Sequence, residues 1–148
     1  MLDIRPIRKD DKDVYLQMAG EFYSTDAVLL HVGEEHFTST FEELMRSDDY
    51  AACYIFELDG EIAGYALLAK TYSQEAGGKV IWIEEIYVSP DFRGRGIGKA
   101  FFEFLLKNRP SDVKRLRLEV ERENSGAVKL YKSFGFDFLE YDQMIIDF

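Results

Sequence analysis

The sequence is short of several things, and each shortage removes a class of protein. Its 148 residues hold a single cysteine, Cys53. No disulfide can close within the chain, and no Cys/His spacing resembles a metal site. Cys53 lies in the apolar run 50–56 and reads as a buried strand residue rather than a nucleophile. No apolar run approaches the roughly 18 residues of a membrane span. The opening stretch MLDIRPIRKDDKD has no apolar core of a signal peptide, so a cytoplasmic location is expected. No repeat, linker or low-complexity segment divides the chain, and residues 1–148 read as one domain. Positive charge is also scarce. The net charge of −10 argues against general nucleic-acid binding, because phosphates would be repelled. It suits a cationic small molecule, although solubility alone would also account for it.

Apolar residues make up 47% of the chain, enough for a real core. Residues 2–7 alternate as a strand. Residues 10–23 and 34–47 carry apolar side chains at helical spacing. Two strands, 51–58 and 61–72, flank Asp59-Gly60, a strong hairpin signal. A third strand, 80–88, ends at Ser89-Pro90. In 97–107 the residues Ile97, Ala100, Phe101, Phe104 and Leu105 form a helical stripe. Residues 114–120 alternate, 124–133 read as a short helix, and 136–139 and 143–148 read as two last strands. The expected order is β-α-α-β-β-β-α-β-α-β-β, an α+β domain with one mixed sheet.

The most informative stretch is VIWIEEIYVSPDFRGRGIGKAFFEFLL, residues 80–106. It joins a strand to a helix through a glycine-rich basic loop. At a helix start the first N–H groups lack partners and the dipole is positive, so the loop is suited to phosphate. A P-loop is excluded because Ala100, not Ser or Thr, follows Lys99. A dinucleotide fingerprint lacks its third glycine and its N-terminal βαβ unit. The pattern Arg-x-x-Gly-x-Gly is met by Arg93, Gly96 and Gly98. Three glycines and three cations in seven residues disfavour a plain turn.

Glu84 and Glu85 stand in the middle of an otherwise apolar strand. A carboxylate there is costly unless partnered or working. A partly desolvated glutamate with a raised pKa suits a general base. Neighbours on a regular strand point to opposite faces, so at least one of the two has a structural or solvent-facing role.

The Arg-x-x-Gly-x-Gly loop, followed by NSGAVKLYKSFGF at 124–136, resembles the GNAT N-acetyltransferases along nearly the whole chain. The segment WIEEIYVSPDFRGRGIG is similar to the polyamine (spermidine/spermine) branch, which carries an acidic pair there. The resemblance implies acetyl-CoA as cosubstrate, lying where the strand before the loop splays from its neighbour. The pantetheine arm would pair with the backbone of Ile86, Tyr87 and Val88. The amides of Arg93, Gly94, Arg95, Gly96, Ile97 and Gly98 would hold the pyrophosphate. Arg93, Arg95 and Lys99 would add charge, with Lys129 and Lys132 as further candidates. Asn124, Ala127 and Tyr131 share one helix face and would line the ligand arm.

The polyamine resemblance favours Glu84 as base and Glu85 as binder of a substrate cation, a choice that a bulge in the strand would blur. Tyr131 would protonate the leaving thiolate, and the Val88 N–H would stabilise the oxyanion. The acceptor site is expected in 21–35, with Tyr23, Asp26, Glu34 and Glu35 as candidates. His31 and His36 are assigned no chemistry, and no metal is expected. The acceptor is expected to be a small cationic amine. The alternatives are a protein N-terminus or lysine, or a non-catalytic acyl-CoA-binding module. Neither nucleic acid nor membrane is an expected partner, and analogy favours a homodimer.

Overall fold

The computed structural model describes residues 1–25 and 31–148. Its elements are β1 (Leu2–Pro6), α1 (Lys12–Tyr23), α2 (Glu34–Arg46), β2 (Ala51–Leu58), β3 (Glu61–Ser73), β4 (Gly78–Val88), α3 (Ile97–Asn108), β5 (Val113–Leu118) and α4 (Ser125–Ser133). One sheet runs in the order β1-β2-β3-β4-β5. The first four strands are antiparallel neighbours, while β5 is parallel to β4. A parallel pair needs a crossover, and α3 supplies it. This is the expected α+β fold with one mixed sheet.

Helices cover both faces. On one, Ile97, Phe101, Phe102 and Leu105 of α3 pack on Phe56, Ala66, Leu68, Ile81 and Ile83. On the other, Tyr15, Met18 and Ala19 of α1 and Phe37 and Phe41 of α2 pack on Cys53, Ile55, Tyr65 and Tyr87. Cys53 is buried as expected, and burial pushes its thiol well above the ordinary range. Arg5 seats the start of α1. Its guanidinium grips both Asp11 oxygens at 2.9 and 3.0 Å, and its Nε reaches Glu57 at 3.0 Å. The same grip holds the Asp11 carboxyl below the usual carboxylate range.

One irregularity, in the β3–β4 pairing, shapes the site. Leu67 pairs with Glu85 and Leu68 with Ile83, so Glu84 has no partner on β3. This extra residue is a β-bulge, and it inverts which face the following side chains serve. Before it, Ile81 and Ile83 face α3. After it, Ile86 and Val88 face that side, while Glu85 and Tyr87 are buried towards α1 and α2.

The two last strands expected at 136–139 and 143–148 do not form. Side chains hold this segment beside β5, without a backbone ladder. The Tyr141 hydroxyl donates to Glu75 at 3.2 Å, Gln143 to Glu119 at 3.1 Å, and Arg122 to Glu140 at 3.4 Å. Phe138 lies between Arg122 and Lys132, and a tight Tyr141 N–H to Leu139 carbonyl bond interrupts the extended backbone. Met144, Ile145, Ile146 and Phe148 are left exposed.

Candidate active site

The β4–β5 ladder begins at Lys79↔Val113 and stops at Ile83↔Leu118, while β4 continues to Val88 paired with β3 alone. The strands therefore fork, and among the described residues the 84–88 stretch of β4 has no strand neighbour on that edge. In an antiparallel pair, successive residues turn their N–H and C=O alternately towards and away from the partner. The Ser89 N–H donates to the Ala63 carbonyl at 2.8 Å. Counting back, Tyr87 and Glu85 bond towards β3, whereas Ile86 and Val88 present their backbone to the fork. Of the three residues expected to pair with an extended arm, Ile86 and Val88 thus face the opening. Tyr87 turns its backbone to β3 instead.

Gly64 stands opposite Val88. A Cβ at this glycine would lie 2.1 Å from the Tyr87 carbonyl oxygen, so only glycine permits this approach of β3 to β4.

Below the fork, the loop enters α3 through Gly96, whose φ of 76° is left-handed and readily adopted only by glycine. The first N–H groups of α3 have no intrahelical partners, as at any helix start. The expected cations are turned onto the protein. Arg93 Nε donates to the Val88 carbonyl at 3.0 Å. Arg95 donates to the Asp91 carbonyl at 3.0 Å and lies 5.4 Å from the Phe92 ring centre. Lys99 approaches Glu103 at 3.8 Å. What the loop itself offers an anion is backbone amides. With the open β4 edge beside them, they fit an extended thioester arm ending in a pyrophosphate.

Tyr131 of α4 stands on the α3 side of the sheet, half-buried against Phe102 and Phe136 at 5.5 and 6.2 Å between ring centres. Burial raises its phenol, which stays protonated at neutral pH. Asn124 is first of all a helix cap, its Oδ1 accepting from the Ala127 N–H at 3.3 Å.

The opposite face is polar. Glu85, only 6% exposed, accepts from the Tyr65 hydroxyl at 2.8 Å, and the Tyr23 phenol lies beside it. Burial pushes its carboxyl above the usual range, and the two phenols pull it partly back. Tyr23 packs against Phe22 and Phe37. The Tyr87 hydroxyl donates to Glu21, and Gln17 donates to the same carboxylate at 3.0 Å. These bonds hold Glu21 below the ordinary range. Glu34, Glu35, His31 and His36 are exposed. Asp26 lies outside the described residues.

Glu84, on the bulge, keeps access to solvent. Partial desolvation raises its carboxyl, and the charges of Glu119 and Glu85 add to the rise. Glu119 is a residue that the reading of the sequence passes over. There it is one polar position in an alternating strand. Only the register, ending at Ile83↔Leu118, sets Glu84 and Glu119 on the two arms of the fork.

The sequence profile of the acetyltransferase (GNAT) family matches residues 15–136. An uncharacterised N-acetyltransferase of Methanocaldococcus jannaschii is 32% identical over 136 residues, covering 90% of this chain but 60% of the relative. The spermine/spermidine N(1)-acetyltransferase of Bacillus subtilis is 23% identical over 118 residues, 74% of this chain and 78% of that one. Among solved structures, an aminoglycoside N-acetyltransferase in complex with CoA superposes with a TM-score of 0.78 at 20% identity. That match covers 99% of this chain and 95% of the other, and is a likeness of fold. Strand fork, amide loop and matching profile agree: the chain belongs to the GNAT acetyltransferase family.

Proposed function

We propose that this protein moves the acetyl group of acetyl-CoA to the primary amine of a small cationic molecule, by direct attack in a ternary complex. The observation that carries the reading is the fork: an open backbone edge at Ile86 and Val88, with an amide loop below it and two carboxylates at its mouth.

An amine with a pKa near about 10.4 arrives mostly as its ammonium form. Glu84 takes the proton, directly or through water, and its raised carboxyl suits that task. Glu119, facing it, keeps the mouth anionic for a cation. The free amine nitrogen then bonds to the thioester carbonyl carbon. The Val88 N–H donates to the oxygen that becomes an oxyanion. As the intermediate collapses, the C–S bond breaks and the electron pair leaves on sulfur. Tyr131 gives that thiolate a proton, and the attacking nitrogen, an ammonium in the intermediate, passes its remaining extra proton through water to the Tyr131 phenolate, which leaves a neutral amide and a restored phenol. Glu85, with Tyr23 and Tyr65, presents a buried anionic wall on the acceptor side. The same reading includes a cytoplasmic, homodimeric protein, and the exposed apolar side chains of Met144, Ile145, Ile146 and Phe148 support a second copy.

The test is thiol release from acetyl-CoA across polyamines, aminoglycosides, amino acids and peptides. Turnover on small cationic amines is expected. Turnover only on peptides overturns the acceptor class, and CoA binding without turnover on any amine favours a non-catalytic module. Glu84→Gln should slow the reaction by ~100-fold and move its pH profile. Full activity in Glu84→Gln with loss in Glu119→Gln would transfer the base to Glu119.

A further inference from the structure

The Val88 peptides are tied on three sides. Gly64 lets β3 press against the Tyr87 carbonyl, with no space for a Cβ between them. The Ser89 N–H is fixed on the Ala63 carbonyl at 2.8 Å. The Val88 carbonyl, which faces the fork, accepts from Arg93 Nε at 3.0 Å. Of the two backbone groups that Val88 turns to the opening, the carbonyl therefore already accepts from the protein's own side chain, while the N–H is the donor that a ligand oxygen can use. A guanidinium is charged at every working pH, and its hydrogen bond to a carbonyl is of the strong, charge-assisted kind. Arg93 also begins the amide loop, so the same residue touches both the phosphate grip and the end of β4.

We infer that Arg93 is a positioning residue: its guanidinium holds the Val88 carbonyl, and so aims the neighbouring Val88 N–H at the reacting oxygen, rather than binding phosphate. The inference rests on the reading of the fork as an acyl-CoA site. A ligand to phosphate and a strut to the backbone part company in what they do to different donors. A phosphate ligand contributes binding that a donor without pyrophosphate never uses. A strut acts at the thioester, which both donors share.

The experiment compares Arg93→Ala and Arg93→Lys with the unaltered protein, using acetyl-CoA and S-acetylpantetheine as donors and CoA binding by calorimetry. The expected result is the same loss of kcat with both donors, about tenfold or more in Arg93→Ala. The CoA Kd should stay within about threefold, and the Val88 amide resonance should move in the ligand-free protein. Arg93→Lys should recover little, since a single ammonium does not reproduce the guanidinium's fixed geometry. A loss confined to acetyl-CoA, or a CoA Kd weakened more than tenfold, overturns the inference and returns Arg93 to the phosphate. If the unaltered protein turns over too little S-acetylpantetheine to measure, the split between kcat and CoA Kd decides in the same way. Failure of the unaltered protein to bind CoA at all would instead remove the acyl-CoA reading and the inference with it.

Discussion

The two faces of the sheet solve different problems with different materials. The α3 face is built of Phe101, Phe102, Ile81, Ile83 and Leu105, and among the described residues it holds no buried charge. Its polar work is done at the edge, by backbone groups at Ile86, Val88 and the loop. The α1/α2 face is built of phenols around Glu85, with Glu21 and Gln17 at the rim. Backbone groups suit a ligand that never changes, whereas side chains suit an acceptor that differs between relatives. On the proposed reading, the contrast would let a shared thioester donor and variable amines use one strand.

Four substitutions break or sharpen this contrast. The largest effect is expected from Phe101→Ala, which empties a fully buried position on the apolar face; it should cost ~3–5 kcal/mol in denaturant unfolding. Gly64→Ala puts a methyl against the Tyr87 carbonyl. It should cost about 2–3 kcal/mol and disturb both faces at once, visible as a lower Tm and as shifted Val88 and Tyr87 amides.

Glu85→Gln tests the polar face alone. The native Glu85 carboxyl is raised above its unfolded value, so the native state holds its proton more tightly. Stability is therefore full below the unfolded pKa of roughly 4.3 and falls as pH rises through the higher native value. Removing the carboxyl should flatten that fall in a series of melts above pH 4. A fall of unchanged size would show that Glu85 is not its source. The smallest effect is expected from Asn124→Ala, which removes a cap worth ~1 kcal/mol in Tm or denaturant midpoint, with little change at either face.

The same contrast explains what could be read without coordinates. The apolar face and its loop announce themselves. A stripe at 97–105, an Asp-Gly hairpin and an Arg-x-x-Gly-x-Gly loop are local signals, and local backbone physics fixes their outcome. Glu85 was legible as a carboxylate in an apolar strand and Tyr23 as a candidate in the 21–35 region, but their placement side by side was not, because it depends on the bulge at Glu84. Glu119 was not, because its importance lies in a register between strands more than thirty residues apart in sequence. Arg93 was read as charge for phosphate, since composition shows a cation but not where its side chain turns. The last segment was misread for the opposite reason. Its alternation is real, but side-chain bonds through Tyr141, Gln143 and Arg122 hold it where a ladder was expected.

The close approach at Gly64 has a mechanical consequence. Pressed against β3, the end of β4 has a hard stop on one side and free space on the other. Any force from a ligand in the fork can move that backbone in one direction only, away from the anvil. On the proposed reading, a donor arm drawn into the opening would thus find a strand edge that does not recoil from it.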